Sequence, residues 1–204
     1  MLSINVQSQN EETWEPKKLL KDLDQLEFLI TAHPDPYQHI SKKEVDNKFN
    51  EVKASFIKPK STLAFYKDVA SIIALIKDGH SSAYLPKNWF EYQRKKHGAF
   101  PYEMYLINDD ELFVIKDFNN GKIPIGAKIT KINGIRTTDF LTKFNPYISY
   151  ERKAFRNTFI DNDFEKFLYI AFGHSKNTKL TFVKSTNEEV MIPNMPFKEW
   201  KKII

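Results

Sequence analysis

The residues best equipped for chemistry stand together at Asp78-Gly79-His80-Ser81-Ser82, just after the apolar run Ile72-Ile73-Ala74-Leu75-Ile76. An imidazole titrates near ~6.5, so His80 can exchange a proton at neutral pH. Asp78 either orients that ring or caps the turn. Gly79 has no Cβ and is expected to take the left-handed conformation that closes a helix. Ser81 and Ser82 are nucleophiles by type. Sequence neighbours seldom reach serine–histidine geometry, however, and no oxyanion-hole signature accompanies them, so both read as strand residues. On these residues alone, His80 reads as a helix-end histidine donating to a backbone carbonyl.

The remaining histidines say less. His33 and His39 flank a proline-rich turn with Asp35, at a spacing that matches no standard metal-ligand set, and read as a polar loop. His97 and His174 fall in predicted loops. The absence of cysteine excludes disulfides, thiolate metal sites and a cysteine nucleophile. With only 6 glycines a glycine-rich phosphate loop is not expected, and no cofactor or metal is called for. The net charge of +5 comes from 31 basic and 26 acidic residues that interleave, so no nucleic-acid partner is expected. The densest basic stretch, Arg94-Lys95-Lys96-His97, reads as a solvated loop. No apolar run is long enough to span a membrane.

The elements that must position these residues follow from periodicity. Residues 14–31 read as a helix, with Pro16 in its first turn and Leu19, Leu23, Leu26 and Ile30 on one face. It ends at His33-Pro34-Asp35-Pro36. Ser41-Lys42-Lys43-Glu44 is a capping box for a second helix bearing Val45, Phe49, Val52 and Phe56, which Lys58-Pro59-Lys60 ends. Ser61 or Thr62 caps a third, whose wide stripe of Phe65, Tyr66, Val69, Ile72, Ile73 and Ile76 makes it the most buried. Residues 80–86 are extended, with His80, Ser82 and Tyr84 on one face. Residues 87–99, with Trp89, Phe90 and Tyr92, read as a short helix or loop. The period then changes to two. Strands are predicted at 102–107, 112–118, 128–132, 135–136, 178–184 and 189–192, with turns at Asn108-Asp109-Asp110, Asn133-Gly134 and Ser185-Thr186-Asn187. A helix capped by Thr137 or Thr138 runs through Phe144. A helical insertion covers about 147–173, broken near Asp161-Asn162-Asp163 and ended by Gly173.

Four stretches resemble the C-terminal-processing (tail-specific) serine peptidases, the group that includes the tricorn core. They are the opening helical segment with His33-Pro34-Asp35-Pro36-Tyr37; Leu75-Ile76-Lys77-Asp78-Gly79-His80-Ser81; Ile125-Gly126-Ala127-Lys128-Ile129-Thr130-Lys131-Ile132-Asn133-Gly134-Ile135; and the strand pair from Gly173 to Ile192. They occur in the family's order over roughly residues 15–193. Ala127-Lys128 departs from the acidic residue that often follows the family's glycine.

The resemblance implies an α+β fold: an N-terminal three-helix bundle at 14–97, then a PDZ-like small β-sheet or barrel domain at 98–194 that carries the insertion. Residues 1–13 read as disordered or a signal-peptide remnant. Residues 195–204 read as a linker toward a catalytic domain that the chain lacks, as a fragment or a truncated relative. By resemblance, His80 is the general base for a serine on that domain, Asp78 its orienting residue, and the chain alone is inert. A peptide or protein substrate and a secreted, periplasmic or cell-envelope location are implied likewise. The alternative is a stand-alone PDZ-like peptide-binding or adaptor module, with a groove between a strand and a helix of the second region. Trp89, Phe90, Tyr92 and Trp200 are either contacts for the absent domain or ordinary packing.

Overall fold

Caps and apolar spacing build the helical half, described here in a computed structural model covering residues 13–119, 121–183 and 186–203. The proposed signal remnant and Ser185 of the last hairpin turn therefore lie outside the described residues, apart from Thr13. A two-residue strand β1, Thr13–Trp14, precedes helix α1, Pro16–Thr31, which buries Leu19, Leu23 and Ile30. Helix α2, Lys42–Ala54, starts on the expected capping box: the Ser41 hydroxyl accepts the Glu44 N–H at 3.3 Å, and Glu44 accepts the Ser41 N–H at 3.0 Å. Strand β2, Lys60–Ser61, pairs antiparallel with β1 and leads straight into helix α3, Thr62–Ile76. Periodicity missed this small ribbon. Trp14 had been assigned to the helix, but Glu15 is extended and Pro16 starts it two residues later. Ser61, rather than Thr62, caps α3 by accepting the Ala64 N–H at 3.2 Å.

Helix α3 has two inward faces. Ile72 and Ile76 join Leu19, Leu23, Val45, Phe49 and Val52 of α1 and α2 in one core. Leu63, Tyr66 and Ala70 join the larger core beneath the sheet. The wide apolar stripe read from the sequence is thus two stripes, serving two cores.

Helix α4, Lys87–His97, replaces the solvated loop expected for the basic stretch, and His97 lies in its last turn rather than in a loop. Strands β3, Tyr102–Ile107; β4, Glu111–Asp117; β5, Lys128–Ile132; and β6, Ile135–Arg136, follow. After helix α5, Thr137–Thr142, and a 3-10 turn at Asn145–Tyr147, come α6, Lys153–Asn162, and α7, Phe164–Phe172. Strands β7, Asn177–Val183, and β8, Asn187–Pro193, close the sheet, and α8, Phe197–Trp200, ends the chain where a linker was expected. The sheet runs β3-β4-β5-β7-β8, all antiparallel, with β6 paired to β5. The fold is α+β, as expected.

Turn chemistry sets this topology. Asn108 and Asp109 have φ of 49° and 71°, and Asn133 and Gly134 have φ of 50° and 82°, as tight hairpins between twisted strands require. The insertion breaks at Asp163 and stops at Gly173, as the sequence indicated. It is bolted to α4: Arg94 donates through Nε and NH2 to Glu165 Oε2 at 2.9 and 2.6 Å, while Glu165 Oε1 accepts the Phe100 N–H at 3.2 Å. The Arg94 guanidinium also lies 4.1 Å over the Trp200 ring, tying α8 to the same point. Gly98, at φ 79°, lets the chain pass Met195, with which Ala99 exchanges backbone hydrogen bonds at 2.9 and 2.8 Å.

Candidate functional site

The turn after α3 is built differently from the sequence expectation. Lys77, not Gly79, takes the left-handed conformation, with φ 54° and ψ 34°. The helix ends at Ile76, so the reversal falls on the next residue, Lys77, before the glycine is reached. Gly79 serves instead by being small, since a Cβ there would stand 3.3 Å from the Phe155 ring.

Asp78 is the centre of the turn. Its Oδ1 accepts the backbone N–H of His80 at 3.0 Å, and its Oδ2 accepts the Ser81 hydroxyl at 2.6 Å. The same Oδ2 lies 3.2 Å from Nε2 of His33, which is 45 residues away in sequence. His33 Nδ1 accepts the Asp35 N–H at 3.3 Å, so the proton of the neutral ring belongs on Nε2, facing Asp78. Burial pushes the Asp78 carboxyl upward, but the hydrogen bonds from Ser81, His80 and His33 outweigh it and hold the carboxyl below its usual range. Asp78 therefore fixes the backbone from which His80 projects, and its oxygens are occupied by groups other than the His80 ring.

His80 itself is exposed. It lines a cavity of about 270 Å³ together with His33, Ser81, Ser82 and the apolar side chains of Leu26 and Ile73. A second cavity, about 360 Å³ and walled by Trp14, Phe65, Val69 and Tyr84, shares Ile73 and Ser82 with the first. What this arrangement offers chemically is a solvent-facing imidazole on a rigid turn beside an apolar hollow. The Ser81 hydroxyl is not a nucleophile for that imidazole, because it is committed to Asp78.

The structure thus joins Asp78, His80 and Ser81 with His33, which the sequence had placed in a polar loop. The available signal was that both stretches, His33-Pro34-Asp35-Pro36-Tyr37 and Asp78-Gly79-His80-Ser81, carried the family resemblance; nothing in either showed that they touch. His39 and the other histidines stay apart from this cluster. His97 and His174 stack on each other at 5.0 Å with 4° between ring planes, and burial, then His174, Lys96 and Lys176, lower the His97 pKa. Among the described residues no three His, Asp or Glu side chains gather as a metal site.

The edge of the second region bears on the peptide-binding alternative. β3 is an outer strand, and α6 lies along it: Asp161 of α6 accepts the Leu106 N–H at 2.7 Å. Asp161 thereby takes one of the outward N–H groups that a peptide adding to β3 would use.

No family model matches this sequence, and no curated protein does. Among solved structures the fold is similar to that of mature CPAF, with a TM-score of 0.55 at 15% identity. The similarity covers 87% of this chain and 34% of that one, so the chain spans about a third of that protein's length. At that identity the likeness is one of fold alone. Among the described residues no helix is long and apolar enough to cross a membrane.

Proposed function

We propose that this chain is the N-terminal helical and PDZ-like portion of a serine peptidase of the tail-specific group, and that it presents His80 as general base to a serine carried on another domain. One observation carries the reading: the two helical-half stretches that resemble the family close into a single hydrogen-bonded cluster whose outward product is the exposed His80. The likeness of fold to mature CPAF supports it. Asp78 then acts as the orienting residue through the His80 backbone, with His33 behind it. Peptide or protein is the substrate, and a secreted or cell-envelope location goes with the family. The second reading, a stand-alone peptide-binding module, would use the β8 edge in preference to β3, whose Leu106 N–H is taken by Asp161.

The test uses this chain joined to its downstream sequence, in a peptide-hydrolysis assay with an active-site serine probe. His80→Ala is expected to lower kcat by about 10²–10⁴-fold, the usual contribution of one acid–base group, and to slow serine labelling with it, while the circular dichroism spectrum stays that of the parent. The 204-residue chain alone is expected to be inert and unlabelled. A loss under about tenfold returns His80 to a structural role.

A further inference from the structure

Four residues beside His80 have backbone groups that no other described residue pairs. The turn ends with the Ser81 N–H donated to the Asp78 carbonyl at 3.1 Å, and the hydrogen bonds of α4 begin with the Pro86 carbonyl accepting the Trp89 N–H at 2.9 Å. Between them, residues 82–85 have neither helical nor paired-strand structure, and among the described residues nothing hydrogen-bonds to their backbone N–H or C=O groups. Ser82, Ala83 and Tyr84 are partly or largely exposed, so these groups face outward, where an added strand can reach them. This is not a loose loop: Leu85 is only 6% exposed and Ala83 rests on the larger core. The inner side chains are anchored while the backbone rim is unpaired, which is the condition for strand addition.

We propose that residues 82–85 are the strand against which the substrate peptide adds in extended form, beside His80, placing an uncharged apolar side chain in the 360 Å³ cavity. The identity of the occupant rests on the peptidase reading; the unpaired rim does not. Three features select such a peptide. The rim offers only backbone groups, which recognise an extended chain whatever its sequence. The cavity walls are Phe65, Val69, Ile73 and Tyr84, and the charges at its margin, Lys18 and Asp22, are of opposite sign. Ser82 and Ile73 belong to both cavities, so a peptide running along the rim reaches the imidazole. His80 itself lies in the turn rather than in the extended segment that the sequence suggested for 80–86, so the imidazole stands at one end of the rim.

The experiment titrates the isotope-labelled chain with blocked tetrapeptides carrying Leu or Phe centrally, and with Lys- and Glu-bearing counterparts. The expected result is saturable shifts of the amides of residues 82–85 with slowed hydrogen exchange there, for the apolar peptides only. N-methylation of the central peptide bond should weaken binding by about tenfold, the worth of one or two backbone hydrogen bonds. Ile73→Glu should abolish binding while the remaining amide spectrum stays native. Shifts confined to the β8 edge, equal binding of charged peptides, or no shifts at millimolar peptide would overturn the proposal, as would concentration-dependent self-pairing of this rim. If binding fails while the longer protein still depends on His80, the strand proposal falls and the peptidase reading survives. If binding holds without that dependence, the reverse is true.

Discussion

Asp161 illustrates how one carboxyl can act against the element it closes. Burial pushes its pKa up to about 6, only partly opposed by the Leu106 N–H it accepts. A carboxyl raised above its unfolded value of ~3.9 favours the folded state when protonated. Its contribution is therefore fully present below the unfolded pKa and is lost as pH rises through about 6. Asp161→Asn keeps an oxygen for Leu106 and removes the charge. It should raise Tm by about 2–4 °C at pH 8, with the difference from the parent vanishing toward pH 4 in scanning calorimetry. Asp78 has the opposite sign: its carboxyl is held low by its hydrogen bonds, so its contribution is present above the unfolded pKa and declines as acid protonates it.

At the scale of elements, the joints are more demanding than the elements themselves. A Cβ on Gly98 would lie 2.7 Å from the Met195 carbonyl oxygen, and φ there is 79°. Gly98→Ala should thus cost about 2 kcal/mol or more in urea unfolding, with the Ala99 and Met195 amides losing exchange protection first. Such joints explain what the sequence could and could not show. The helices of the first half were legible because Leu19, Leu23, Val45 and Phe49 repeat at helical spacing and Ser41 announces a start. The sheet was legible because its turns carry Asn-Asp and Asn-Gly. The β1/β2 ribbon was not, since two-residue strands have no period to detect. The left-handed joint at Lys77 was missed because glycine is the ordinary occupant and Gly79 stood two residues away. The contact of His33 with Asp78 was illegible for a different reason: it spans 45 residues and depends on how α1 and α3 cross.

For the whole molecule, α3 decides cooperativity. One face belongs to the core of α1 and α2 and another to the core under the sheet, so neither half can lose α3 alone. The Arg94/Glu165 pair, with side-chain exposures of 24% and 14%, adds a link between α4, α7 and the approach to β3. Unfolding should accordingly be a single transition, with Trp fluorescence and far-UV circular dichroism giving the same midpoint. Separate midpoints for the helical and β signals would show that the two cores melt independently. Glu165→Ala, which strands a part-buried guanidinium, should lower that common midpoint rather than split it.

The left-handed Lys77 has one more consequence. A side chain at φ 54° carries a steric cost that glycine escapes, and glycine would also leave the hinge free to sample many directions. Lysine does the reverse: it narrows the hinge to few conformations and accepts the strain. The residue at the start of the histidine's turn thus has limited freedom. The turn behaves like a fixed bracket that holds the His80 backbone in one direction.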